Sequence, residues 1–127
     1  MSPLFRKSEE KVAREAAVQA EIDRLKALSV DDLAVMLLPA LGPEIAGRGH
    51  TVREQQLCNY LLRDFPRVGT MKALQLLPRV RKSLERLKDA DLVSSLSIQR
   101  SPIWQITGPG ETALAQGTIE QRVRRDG

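Results

Sequence analysis

The sequence predicts a mainly α-helical fold with a small β-hairpin, preceded by an extra N-terminal helix. Three observations predict it. Leu77, Val80, Leu84 and Leu87 recur at helical spacing and share one face. After Asp91 the period changes to two: Leu92, Ser94, Leu96 and Ile98 alternate along one side. The short turn Gln99-Arg100-Ser101-Pro102 then leads to a second run, Ile103 to Thr107, with Trp104 and Ile106 on the same face. Upstream, a capping residue precedes an amphipathic run three times, at Ser8, Ser29 and Thr51.

Each helix has its own start and stop signals. The first is predicted from Ser8 to Leu28, with Glu9 and Glu10 in the first turn, where the helix dipole favours acids. Its apolar stripe, Val18, Ile22 and Leu25, occupies the second half only. Ser29 caps a second helix over 30–41, with Asp31 and Asp32 in its first turn; Pro39 disturbs its end and Gly42-Pro43 stops it. Thr51-x-x-Glu54 reads as a capping box for a third helix, Val52 to Asp64. Phe65 to Thr70 is a turn, and Thr70 caps a short helix to Leu77. Pro78 then either ends that helix or sits in the first turn of the strong helix to Asp89. A last helix opens at Thr107 or Gly108 and closes at Gly117. Thr118 to Gly127 reads as a polar, basic, frayed tail. The predicted organisation is therefore an N-terminal helix over 1–28, one domain over 29–117 and a tail over 118–127.

Composition narrows the function. The chain has 127 residues, one cysteine and one histidine, so Cys58 and His50 supply neither an internal disulfide nor a multi-histidine metal centre. Cys58 sits on an apolar helix face and reads as buried and inert; His50 reads as a surface residue. No Gly-rich phosphate loop is present: Gly42 to Gly49 lacks a following Lys-Ser/Thr. With a single imidazole no nucleophile–base arrangement is credible. These residues point away from an enzyme and imply no cofactor. No apolar run approaches the ~20 residues of a membrane span, and the start carries no signal-peptide pattern. A soluble, cytoplasmic protein is expected.

The net charge is +4, but residues 63–100 alone carry +5, a local basic patch of the kind a polyanion partner needs. On a helical projection, Gln75, Arg79, Lys82 and Arg86 fall nearly opposite the apolar stripe. A solvated helix face would look the same.

Arg79 to Val93, followed by Ile103-Trp-Gln-Ile-Thr-Gly-Pro-Gly110, resembles the recognition helix, wing and aromatic-x-Ile-Thr-x-x-Gly pattern of MarR- and PadR-like regulators. It is similar also to the winged-helix half of Mrr-type restriction proteins. The resemblance covers about residues 30–116. Asp91 stands where those families usually carry glycine. The resemblance implies a winged helix-turn-helix whose helix enters the major groove of double-stranded DNA while the wing touches the backbone or minor groove. It implies a transcriptional regulator or nucleoid-associated protein.

On these residues the expected DNA contacts are Arg79, Lys82 and Arg86, with Gln75 at the N-terminal end as an adenine reader. Arg100 stands at the wing tip, and Arg67, Thr70 and Lys72 near the turn for phosphates. Trp104 is expected as a core anchor under the wing rather than a base-stacking platform. Such modules mostly act as dimers, and the N-terminal helix is the natural homodimer element. A small effector between that helix and the wing domain is compatible with the pattern. The alternative is a winged-helix protein–protein interaction module of a larger assembly that does not touch DNA.

Overall fold

The computed structural model describes residues 3–47, 49–65, 67–98 and 101–125. Its elements are α1 (Pro3–Ala27), α2 (Val30–Leu41), β1 (Val52–Arg53), α3 (Glu54–Leu61), α4 (Thr70–Ala73), a 3-10 turn (Leu74–Leu76), α5 (Leu77–Asp89), β2 (Val93–Ile98), β3 (Ser101–Ile106), α6 (Gly108–Gln116) and α7 (Ile119–Arg125). The fold is mainly α with a small antiparallel sheet of order β1-β3-β2, as the change of hydrophobic period predicts.

Local chemistry sets most boundaries. Ser29 caps α2: its Oγ accepts from the Asp32 N–H at 3.1 Å. Pro78 sits in the first turn of α5, where a missing N–H costs nothing. At the other end of α5 the Leu92 N–H donates to the Leu87 carbonyl at 2.9 Å, and Asp91 takes a left-handed φ of 61°, the geometry of a Schellman close. The Thr107 hydroxyl then ties this end to the sheet. It donates to the Asp91 carbonyl and accepts from the Gly110 N–H that opens α6. Gly110 is required there, because a Cβ would lie 2.1 Å from the Leu92 carbonyl oxygen.

Five expectations need correction. Ser8 does not start the first helix: α1 already begins at Pro3, and its first turn holds no acidic residue. Thr51 does not cap α3. Val52 and Arg53 pair instead with Trp104 and Ile103 as β1, and α3 starts at Glu54, with Gln56 Oε1 accepting from the Arg53 N–H at 2.7 Å. Thr70 does not cap α4; Gly69 holds that position. The inner face of β2 carries Val93 and Ser95, which pair with Ile106 and Trp104. Leu96 falls on the outer face and is 55% exposed. Leu92 is fully buried but precedes the strand. Because side chains alternate along a strand, starting it one residue later exchanges the two faces. Finally, the tail is helical over α7: Val123 is completely buried against the core and Arg124 pairs with Asp32 at 2.8 Å.

One aliphatic core joins these elements. Leu33, Leu37, Leu57, Leu84, Leu87 and Leu92 are fully buried, and Trp104 anchors the sheet to them. The stripe of α1 packs into the same core, with Ile22 and Leu25 fully buried. Residues 9–17 of α1 are all exposed. Among the described residues no helix is long and apolar enough to cross a membrane.

Candidate nucleic-acid interface

The helix predicted to carry the basic ridge, α5, buries Val80, Ser83, Leu84 and Leu87. Arg79 and Arg86 do not face solvent. Arg79 is half-buried, and its guanidinium donates to the carbonyl of Leu28, the link between α1 and α2. Its Nε is buried without a hydrogen-bond partner among the described residues. Arg86 has a side chain only 14% exposed, with Nε 3.0 Å from Asp31 Oδ1, and it donates a second bond to the carbonyl of Val123 in α7. Ser83 lies between them, its hydroxyl donating to the Arg79 carbonyl at 2.9 Å.

The physical reason is geometric. Arg79 and Arg86 project about 120–140° from the apolar stripe, on the flank of the helix rather than its back. That flank is walled by the start of α2 together with α1 and α7, the two segments predicted to lie outside the domain. Gln75 belongs to the 3-10 turn, so the helical phase of α5 does not extend to it. Its side-chain oxygen accepts from Gln19 of α1 at 3.4 Å. Of the four ridge residues only Lys82 is exposed without an ion-pair or hydrogen-bond partner among the described residues. It shares a shallow hollow with Arg81, Glu85 and Asp89. Arg81 is in turn held by Glu54 at 3.0 Å.

The turn residues come out differently. Arg67 and Thr70 are exposed and Lys72 is half-buried. Arg67 and Lys72 line a cleft of about 710 Å³ between α1 and the segment that joins α3 to α4. Its apolar lining is Val18, Phe65 and Val68; its rim carries Lys11, Arg14, Arg67 and Lys72 against Glu15 and Asp64. Four cations facing two carboxylates make this a basic cleft. Lys11 and Arg14 were not singled out in the sequence. Their i,i+3 spacing on an exposed half-helix was the available signal, but nothing local says that α1 folds back over the turn.

The remaining candidates are quickly placed. Arg100 lies outside the described residues. Trp104 is buried at 3% exposure, as a core anchor would be. Cys58 is fully buried, and burial, reinforced by the nearby Glu54 carboxylate, pushes its thiol up to about 11. Among the described residues no three His, Cys, Asp or Glu side chains gather into a metal-binding group. Val18, Ile22 and Leu25, the stripe a helix-to-helix dimer through α1 would use, are already covered by the protomer's own core. No family model matches the chain, and neither the characterised proteins nor the solved structures compared with it contain a match.

Proposed function

We propose that the chain is a winged helix-turn-helix DNA-binding protein, a transcriptional regulator or nucleoid-associated protein, that holds double-stranded DNA chiefly by its phosphates. The order of α2, β1, α3, α5 and the β2–β3 hairpin, with β3 central in the sheet, supports the fold assignment. The observation that carries the function is the cluster of Lys11, Arg14, Arg67 and Lys72 around the turn before α4. Thr70 is exposed at the start of α4 beside it, and Lys82 adds a separate exposed cation on α5. Lysine and arginine at these places neutralise phosphates and release counterions. Arg79 and Arg86 are left out of the reading surface, because moving them to DNA would break their bonds to Leu28, Asp31 and Val123.

Anisotropy of labelled random duplex DNA at about 50 and about 200 mM salt tests this. The wild type should bind with a steep salt dependence. A Lys72→Ala/Lys82→Ala variant should bind more weakly, with a log–log slope shallower by about 1.8. A folded wild type that binds no DNA at the lower salt overturns the proposal.

One observation favours a second reading, docking onto a protein partner. The exposed face of α5 is nearly neutral, with Arg81, Lys82 and Lys88 offset by Glu85 and Asp89. Docking of that kind would be almost independent of salt.

A further inference from the structure

The two edges of the sheet are unlike. β1 covers β3 only at Ile103 and Trp104 and ends in Arg53, so that edge is short and charged. β2 pairs with β3 along all six residues, Val93 to Ile98, and among the described residues no backbone bond reaches Ser94 to Ser97 from any other element. Natural edge strands of this length are usually blunted by lysine, proline, a bulge or a covering element. β2 reads Val-Ser-Ser-Leu-Ser-Ile, without a charge or a proline, in a chain that is 28% charged. Its outer face presents Leu96, 55% exposed.

We propose that β2 is a self-pairing edge: it takes the β2 of a second copy of this chain, antiparallel, about a two-fold axis at Leu96. The register follows from parity. A two-fold axis perpendicular to the sheet keeps the inner faces of both copies on one side, so partners must have the same parity. Leu96 then lies against Leu96, Ser95 against Ser97, and Ser94 against Ile98. The two exposed leucines cover each other on the outer face, serines pair with serines on the inner face, and no charge of either sign is buried. A second copy fits this edge better than a charged peptide, which would find no counter-charge along it. The contact is small, so the dimer is weak and concentration-dependent. It is independent of the DNA reading and leaves α1 free of any dimer role.

Sedimentation equilibrium from low to high micromolar protein reads the association. The wild type should shift from monomer toward dimer, and Leu96→Lys should weaken that association at least tenfold while leaving the melting curve unchanged. Cross-linking fixes the register. Leu96→Cys should form a disulfide dimer under mild oxidation, because facing residues of a strand pair bring their Cβ atoms within disulfide reach. Ser97→Cys, opposite Ser95, should not. A monomer at every concentration, a dimer unaffected by Leu96→Lys, or equal cross-linking of the two cysteine variants overturns the proposal.

Discussion

Arg86 Nε lies 3.0 Å from Asp31 Oδ1, which joins the last turn of α5 to the first turn of α2. The same guanidinium reaches the Val123 carbonyl, so one side chain ties three helices together. Arg86→Ala leaves Asp31 and a carbonyl without their donor and should destabilise the fold by about 1–3 kcal/mol. Urea unfolding measures this. A change below about 0.5 kcal/mol would show that the bonds contribute little and would return Arg86 to the list of free cations.

Arg79 and Lys82 make a matched pair for the same question. Arg79→Ala removes the bond to Leu28 and should cost about 1–2 kcal/mol, with faster amide exchange in α1. Lys82→Ala should stay within about 0.5 kcal/mol, as exposed substitutions do. Equal effects would mean that the half-burial of Arg79 does not matter to stability.

Asp91 and Gly110 test the joint between α5 and the sheet. Asp91→Val, at φ 61°, should cost about 1–2 kcal/mol because a branched side chain resists left-handed backbone. Asp91→Gly should be neutral or slightly stabilising. Gly110→Ala should be worse than either, since its Cβ would meet the Leu92 carbonyl, and backbone must move to admit it. Thermal melts should rank Asp91→Gly highest, Asp91→Val next and Gly110→Ala lowest.

Cys58 carries a pH prediction. Its folded pKa is raised, so the folded state holds the thiol proton that the unfolded state releases first. Stability from this source is complete below about pH 9 and falls as the pH climbs toward about 11. In the native state at about pH 8 the thiol should resist a disulfide reagent and react only as fast as the chain opens. Rapid labelling of folded protein would contradict its burial.

Much of the fold was legible in the sequence, because it is local. Ser29 announced α2 by its capping geometry, and the stripe Leu77–Val80–Leu84–Leu87 announced α5. Asp91, standing where the resembled families carry glycine, marked the place where the backbone turns left-handed. β1 was hidden: two residues have no period, and only pairing with Ile103 and Trp104 makes Val52-Arg53 a strand. α7 was hidden too, since one buried valine among arginines carries little periodicity. Of the expected contact residues, Arg67, Thr70 and Lys82 are exposed and Lys72 is half-buried, while Arg79 and Arg86 are bonded within the protein itself. A projection locates a residue on its helix but not the neighbours that wall that side. Here those neighbours, the Leu28 carbonyl and Val123, are 51 and 37 residues away in the chain.

The bond from Arg79 to Leu28 has a mechanical consequence. At 1.5 Å per residue, α1 is about 37 Å long. Ile22 and Leu25 seat one end of it in the core, and residues 9–17 are exposed, with Lys11, Arg14 and Glu15 bordering the cleft over the turn before α4. The helix is a lever, its fulcrum at Ile22 and its short arm fastened through Leu28 to α5. A small force on the long arm therefore arrives at Arg79 as a larger one. Whatever grips the outer end of α1 pulls directly on the helix that leads into the sheet.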